Sequence, residues 1–244
     1  MYLRPAECAE RPGSREDARV RSDNLCGMHL VFEQIRTGGD RNFGYLLGDR
    51  DAKQAILIDP SYSPETLVER AAEQRLRVTH IINTHGHPDH VNGNAKAVAL
   101  TGAPIAGHRG LPAPPDIALG EGDELTVGAL RLRFMDVPGH ADDHLVVYEP
   151  SYEILVTGDL LFVGKIGGTR SEVDARTEWD SLQRLLRAVP DAATVWPGHD
   201  YGVRPSSTIG IERRTNPFLR CRDADALVRF KAEWPEFKKQ HGLK

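Results

Sequence analysis

The hydrophobic pattern of the chain switches repeatedly between a strand-like and a helix-like period. "HLVFEQI" and "FGYLLGD" are short apolar runs joined by the turn residues of "TGGDRN", which predicts two strands. "AILIDP" is a continuous apolar run stopped by Asp59 and Pro60, as expected of a buried strand. "SPETLVERAAEQRL" changes to helical spacing, with Ser63 as N-cap, Pro64 at the first helical position, and Leu67, Ala71 and Leu76 near one face. "VTHII" reads as a strand, "HVNGNAKAVALTG" as a helix closed by Gly102, and "APIAGH" as a further short strand. After the Pro-rich "GLPAPPD", the runs "ELTVG", "LRLRFMDV", "HLVVYEP" and "EILVTGD" predict a meander of antiparallel strands. "DARTEWDSLQRLLRAV" places Trp179, Leu182, Leu185, Leu186 and Val189 on one helical face. "ATVWPGHD" is a last strand, and "DADALVRFKAEWPEFKKQ" a terminal helix with a kink expected before Pro235.

Mixed strand and helix runs, with hairpins in both halves, predict an α/β (α+β) fold of two sheets covered by helices. No repeat, low-complexity tract or interdomain linker interrupts the pattern. Residues 1–27 differ: they are charged, twice broken by Pro and without a period, so a flexible leader is expected ahead of one domain over 28–244. The 244 residues are 40% hydrophobic and 27% charged, ordinary for a globular protein. A net charge of -4 gives no reason to expect nucleic acid or an anionic membrane as partner. No apolar stretch approaches the ~20 residues that span a bilayer. Cys8, Cys26 and Cys221 are scattered and odd in number, which fits a reducing cytoplasm better than a disulfide framework.

The strand ends carry the candidate chemistry. "VTHIINTH" ends in His85, "FMDVPGH" in His140, "ILVTGD" in Asp159 and "TVWPGH" in His199. Each apolar run delivers one His or Asp where it leaves the core, and strand ends are where sites collect in layered α/β folds. Imidazoles and carboxylates without Cys suit Zn²⁺, Fe²⁺ or Mn²⁺ better than the sulfur-rich sites of structural zinc. In "HGHPDH", His85 and His87 lie two apart, so an extended backbone points them the same way. Pro88 favours that geometry at His87. Asp89 and His90 follow as the chain turns into a helix, so one segment can serve two metals about 3.5–4 Å apart. His29, His80, His108, His144 and His241 are expected to be bystanders, and Cys221 structural.

The ordered set "THGHPDH", "PGH", "TGD" and "PGH" resembles the metallo-β-lactamase-fold superfamily, in the branch of glyoxalase II-like thioester hydrolases and persulfide dioxygenases. The resemblance runs from about residue 29 to the C-terminus. It implies a four-layer αββα sandwich of two mixed sheets. It also implies one metal on His85, His87 and His140, a second on Asp89, His90 and His199, and Asp159 bridging them. Two divalent ions are expected, zinc first, with Fe or Mn as alternatives. They would polarise a carbonyl oxygen and lower the pKa of a bound water towards ~7, so that hydroxide attacks a thioester, ester or lactone. Asp89 would take a hydrogen bond or the proton from that nucleophile.

The expected partner is a small molecule, with a glutathione thioester as candidate; a homodimer is an allowed assembly. Two features depart from glyoxalase II: the segment after His199 is short, and the substrate loop "LLFVGKIGGTR" lacks that family's Cys. Lys165 and Arg170 in that loop are candidate donors to a substrate carboxylate, against the alternative of solvated loop charges. The tail "SSTIGIERRTNPFL" resembles the persulfide dioxygenases, which use one iron on the equivalents of His85, His140 and Asp159. Hydrolysis is the expected reaction. Iron-dependent persulfide oxygenation and metal binding without turnover are the alternatives.

Overall fold

In the computed structural model, which describes residues 29–240, two mixed six-stranded sheets face each other and helices cover both outer faces. The first sheet contains β1 (Leu30–Gly38), β2 (Asn42–Asp49), β3 (Gln54–Ile58), β4 (Arg77–Ile82), β5 (Ile105–His108) and β6 (Ile117–Leu119), side by side in that order. β1, β2 and β3 are antiparallel neighbours, and β3 to β6 run parallel. α1 (Pro64–Glu73) connects β3 to β4, α2 (Pro88–Val91) with α3 (Asn94–Thr101) connects β4 to β5, and a loop joins β5 to β6. The second sheet starts with the predicted meander: β7 (Glu124–Val127), β8 (Leu130–Asp136), β9 (Leu145–Glu149) and β10 (Ile154–Gly158) are successive antiparallel neighbours. Beside β10 lies β13 (Thr194–Pro197), parallel to it, and then β14 (Ser207–Thr208). A small hairpin, β11 (Leu161–Phe162) and β12 (Lys165–Ile166), separates β10 from α4 (Glu172–Ala188). The chain ends in α5 (Ile209–Thr215) and α6 (Ala224–Gln240).

The alternation along each strand decides which layer it feeds. On β2 every residue is buried. Phe43, Tyr45 and Leu47 enter the core between the sheets, where they join Leu132, Phe134, Val147, Val156 and Trp196. Leu46 points the other way, into a layer with Leu67 and Ala71 of α1 and Ala97 of α3. On β8 the pattern is strict: Leu130, Leu132 and Phe134 are buried while Arg131 and Arg133 are exposed. The outer face of the second sheet packs on Leu182, Leu185 and Leu186 of α4, Ile209 of α5 and Leu227 of α6. The expected αββα order is therefore present. Three contacts tie the two sheets together near one edge. Leu145 N–H donates to Thr84 O at 2.7 Å, Phe43 N–H to Gly198 O at 2.8 Å, and the Tyr45 hydroxyl to Pro197 O at 2.5 Å.

The elements differ from the sequence reading in several places, and β6, β11, β12, β14 and α5 are additions to it. The single helix expected over "HVNGNAKAVALTG" is two, α2 and α3, broken at Asn92 and Gly93. Gly93 lies against the backbone of Ser61, where a Cβ would come within 2.0 Å of Ser61 O, so the position has no room for a side chain. Ser63 occupies the N-cap position of α1, but its hydroxyl donates to Thr37 O rather than capping the helix. α4 begins earlier than its apolar stripe suggests, because the Ser171 hydroxyl accepts from Asp174 N–H. α6 continues as helix through Pro235. The leader expected at 1–27 lies outside the described residues.

Candidate metal centre

Asp59, the residue that stops β3, organises the first half of the centre. It adopts a left-handed backbone (φ 47°), and its carboxylate accepts from Thr84 N–H at 2.8 Å and from the Thr84 hydroxyl at 2.6 Å. It also accepts from His90 Nδ1–H at 2.8 Å. Asn83 adds a second brace, donating to His90 O at 3.2 Å and pairing with the amide of Asn94. These bonds fix the stretch between β4 and α2. His87 keeps the extended geometry expected before Pro88 (φ -64°, ψ 143°), and Pro88 starts α2.

The second half comes from the other sheet. His140 follows β8, Asp159 follows β10 and His199 follows β13. Each imidazole is oriented through its Nδ1, which faces a carbonyl and must donate. His140 donates to Gly168 O at 2.7 Å and His199 to Asp40 O at 2.8 Å. Their Nε2 lone pairs, like that of His90, are thereby turned inward.

Two donor sets result. His85 Nε2 and His140 Nε2 lie 2.9 and 3.0 Å from His87 Nδ1, forming the first set. Asp89, His90 and His199 form the second, with His199 Nε2 3.3 Å from Asp89 Oδ2. Asp159 stands between them: Oδ1 is 3.4 Å from His90 Nε2, and Oδ2 is 3.3 Å from His199 Nε2 and 3.6 Å from His140 Nε2. Three ring nitrogens at about 3 Å cannot all be satisfied by the few protons they carry, and lone pairs aimed at one another repel. His90 Nε2 and Asp159 Oδ1 are buried without any hydrogen-bond partner. Native proteins leave few buried polar atoms in that condition, and a cation resolves both. The residues present therefore fit metal ions.

The electrostatics agree. Burial disfavours charge on Asp159, yet His90 and His199 outweigh it and hold the carboxyl well below the usual range. Burial likewise opposes protonation of His90, but Asp159 and Asp59 hold it well above the usual imidazole range. His199 is raised to about 9 against its burial, by hydrogen bonds to Asp159 and Asp89. In the protein alone, protons on these imidazoles stand in for a cation. His199 also keeps Asp89 well below the ordinary carboxylate range; burial opposes this, and a 2.9 Å hydrogen bond from Asn42 adds to it. His85 is depressed by burial, with His90 and His144 adding.

All seven metal-ligand candidates read from the sequence thus meet at one point. The two substrate candidates are in none of the donor sets. Lys165, half-buried on β12, has its ammonium pushed down by burial and then by the neighbouring cations Lys238 and Arg41. Arg170 is largely exposed and lies 3.9 Å from Asp142. His144 lies outside the donor sets, as expected of a non-ligand, but it touches two of the donors. His144 is buried, stacks on His85 with ring centroids 4.8 Å apart, and accepts from Asp159 N–H at 3.0 Å. It thus contacts both His85 and Asp159. Asp59, a support and not a donor, was missed, although it ends an apolar run as His85, His140, Asp159 and His199 do. His241 lies outside the described residues.

A family profile described as the metallo-beta-lactamase superfamily matches residues 37–112 and 107–199. The chain belongs to that superfamily. Within it, the chain is 33% identical to a hydroxyacylglutathione hydrolase of Rhodospirillum rubrum, over 80% of this chain and 89% of that one. It is 28% identical to the mitochondrial persulfide dioxygenase ETHE1 of Mus musculus, over 82% and 80% of the two chains. The crystal structure of ETHE1 from Myxococcus xanthus superposes with a TM-score of 0.78 at 30% identity, covering 84% of this chain and 91% of that one. Among the described residues, no helix is long and apolar enough to cross a membrane.

Proposed function

We propose that this superfamily member is a metal-dependent hydrolase that cleaves an acyl thioester, with hydroxyacylglutathione thioesters as its substrate class. The observation that carries this reading is the complete second donor set, Asp89, His90 and His199, beside the first, with Asp159 shared. A one-iron centre needs only three of the seven donors, whereas here the second set is supported as well as the first, by Asp59, Asn42 and Asp40 O. Two divalent ions, zinc first among the candidates, would supply Lewis acidity towards a carbonyl oxygen and lower the pKa of bound water towards ~7.

The chain's own groups do the rest. Asp59, Gly168 O and Asp40 O aim three imidazoles inward. Asp89 is ionised and half-buried, with its carboxylate oriented by Asn42. It accepts the proton of the attacking water. Water adds to the acyl carbon, the C–S bond breaks, and the thiolate leaves with that proton. Lys165 and Arg170 are the proposed cationic contacts for a substrate carboxylate. A cytoplasmic location follows the cysteine usage, and a homodimer remains an assembly to be measured.

The likeness to ETHE1 over nearly its whole length favours one other reading. In it a single iron on His85, His140 and Asp159 serves persulfide oxygenation. Metal analysis with paired assays separates the two. The hydrolase reading expects about two ions per chain and thioester cleavage without oxygen consumption. One iron per chain, with oxygen uptake on glutathione persulfide and no thioester cleavage, would establish the other.

A further inference from the structure

His140 depends on a carbonyl that is itself held from outside the centre. Gly168 O, which receives His140 Nδ1–H, belongs to a two-glycine segment after β12. The preceding carbonyl, Gly167 O, accepts from Lys231 Nζ of α6 at 2.9 Å. The same ammonium pairs with Glu178 of α4. Glu178 is fully buried, and its second oxygen has no hydrogen-bond partner.

Glu178 meets both the His140 loop and the Gly167–Gly168 segment beside it. On one side its backbone lies against Gly139, where a Cβ would come within 2.5 Å of Glu178 N. On the other its carboxylate faces Gly167, where a Cβ would be 3.1 Å from Glu178 Oε1, 3.0 Å from His140 Nδ1 and 2.1 Å from Asp159 O. α4 grips the same loop again where the Ser181 hydroxyl donates to Pro138 O at 2.7 Å. Burying a carboxyl group against an ammonium is expensive and contributes little net stability. Its placement against this one segment calls for another account.

We propose that Lys231 and Glu178, neither of them a donor, are positioning residues: they clamp Gly167–Gly168 against His140 and so set how tightly the first donor set holds its ion. The clamp makes α6 part of the centre although it supplies none of the donors. The inference rests on His140 being a donor, as in the proposed function. Partners that orient a metal-ligating imidazole typically affect metal affinity by about 10–100-fold.

The test is titration of the metal-stripped full chain with cobalt(II), followed by its visible absorption, which resolves the two sets without any turnover. The main variant carries Lys231→Met with Glu178→Gln, so that no unpaired charge is left buried. It should stay folded by circular dichroism, bind the first cobalt set about 10–100-fold more weakly and leave the second unchanged. Lys231→Arg, which keeps the charge and the reach to Gly167 O, should recover most of the affinity. Nitrogen NMR of the stripped protein should show His140 protonated at Nδ1 in the wild type and as a tautomer mixture in the double variant. Unchanged cobalt affinity, equal weakening of both sets, or failure of the double variant to fold would each overturn the proposal. His140→Ala is the control: if it keeps first-set cobalt, the donor assignment itself falls, and the clamp with it.

Discussion

Single side chains in this centre are set by their partners more than by their own type. His85, His140 and His144 share a residue type and a neighbourhood, yet two face other donors and the third accepts a backbone N–H. His85→Ala and His140→Ala should each lose metal and activity together. His144→Ala is expected to fall between these and the wild type. It leaves Asp159 N–H buried without a partner, at a stability cost of about 1–3 kcal/mol, while removing none of the donors. Metal analysis and melting curves on the three variants check the order. The raised His199 gives a pH dependence with a definite sign. Its folded value of about 9 exceeds the ~6.5 of an unfolded imidazole, so its stabilisation is complete below ~6.5 and is lost as pH rises through 9. Glu178, pushed up to about 8 by burial against the pull of Lys231, acts in the same direction. Chelator-treated protein should therefore melt at lower temperature at pH 9.5 than at pH 7. Metal affinity should rise over the same window, since ligation needs the neutral imidazole. A flat or rising melting curve would contradict the assignment.

Elements were legible in the sequence where a pattern had only one physical solution. β8 alternates strictly and was read correctly, as were the Pro64 start of α1 and the Gly102 end of α3. The two-residue strands β11, β12 and β14 are too short to carry a period. Gly93, in the break between α2 and α3, touches Ser61, more than thirty positions away, a contact that no local pattern encodes. Gly93→Ala tests that contact: its Cβ would lie 2.0 Å from Ser61 O, so a clear fall in melting temperature is expected despite the better helix propensity of Ala. Four of the candidate donors were readable for a similar reason, since His85, His140, Asp159 and His199 each end an apolar run, and His87, Asp89 and His90 follow the first of them closely. Their supports were not, because Asp40 O, Gly168 O and Asn42 become supports only through tertiary packing.

At the scale of the whole molecule, the centre lies where the two sheets touch, between layers of buried side chains. Leu47 on β2 and Leu132 on β8 are both at most 1% exposed in the shared core. Truncating either to Ala should cost about 2–5 kcal/mol, and denaturant midpoints measure it. Zinc loading should raise the melting temperature, and chelation should reverse the gain. The expected increment grows as the logarithm of ion concentration over its dissociation constant.

The seven donors are divided between the sheets: four follow β4, and three come from the ends of strands in the second. The outermost pair, His85 and His199, are 114 positions apart in the chain (199 − 85). An ion held by both halves is a clasp on a very long loop, and it can close only after each sheet has formed and the two have docked. Interactions completed that late are absent from the folding transition state, so they slow unfolding more than they speed folding. The loaded protein should then persist through kinetic protection, with a lifetime governed by how rarely the two halves part.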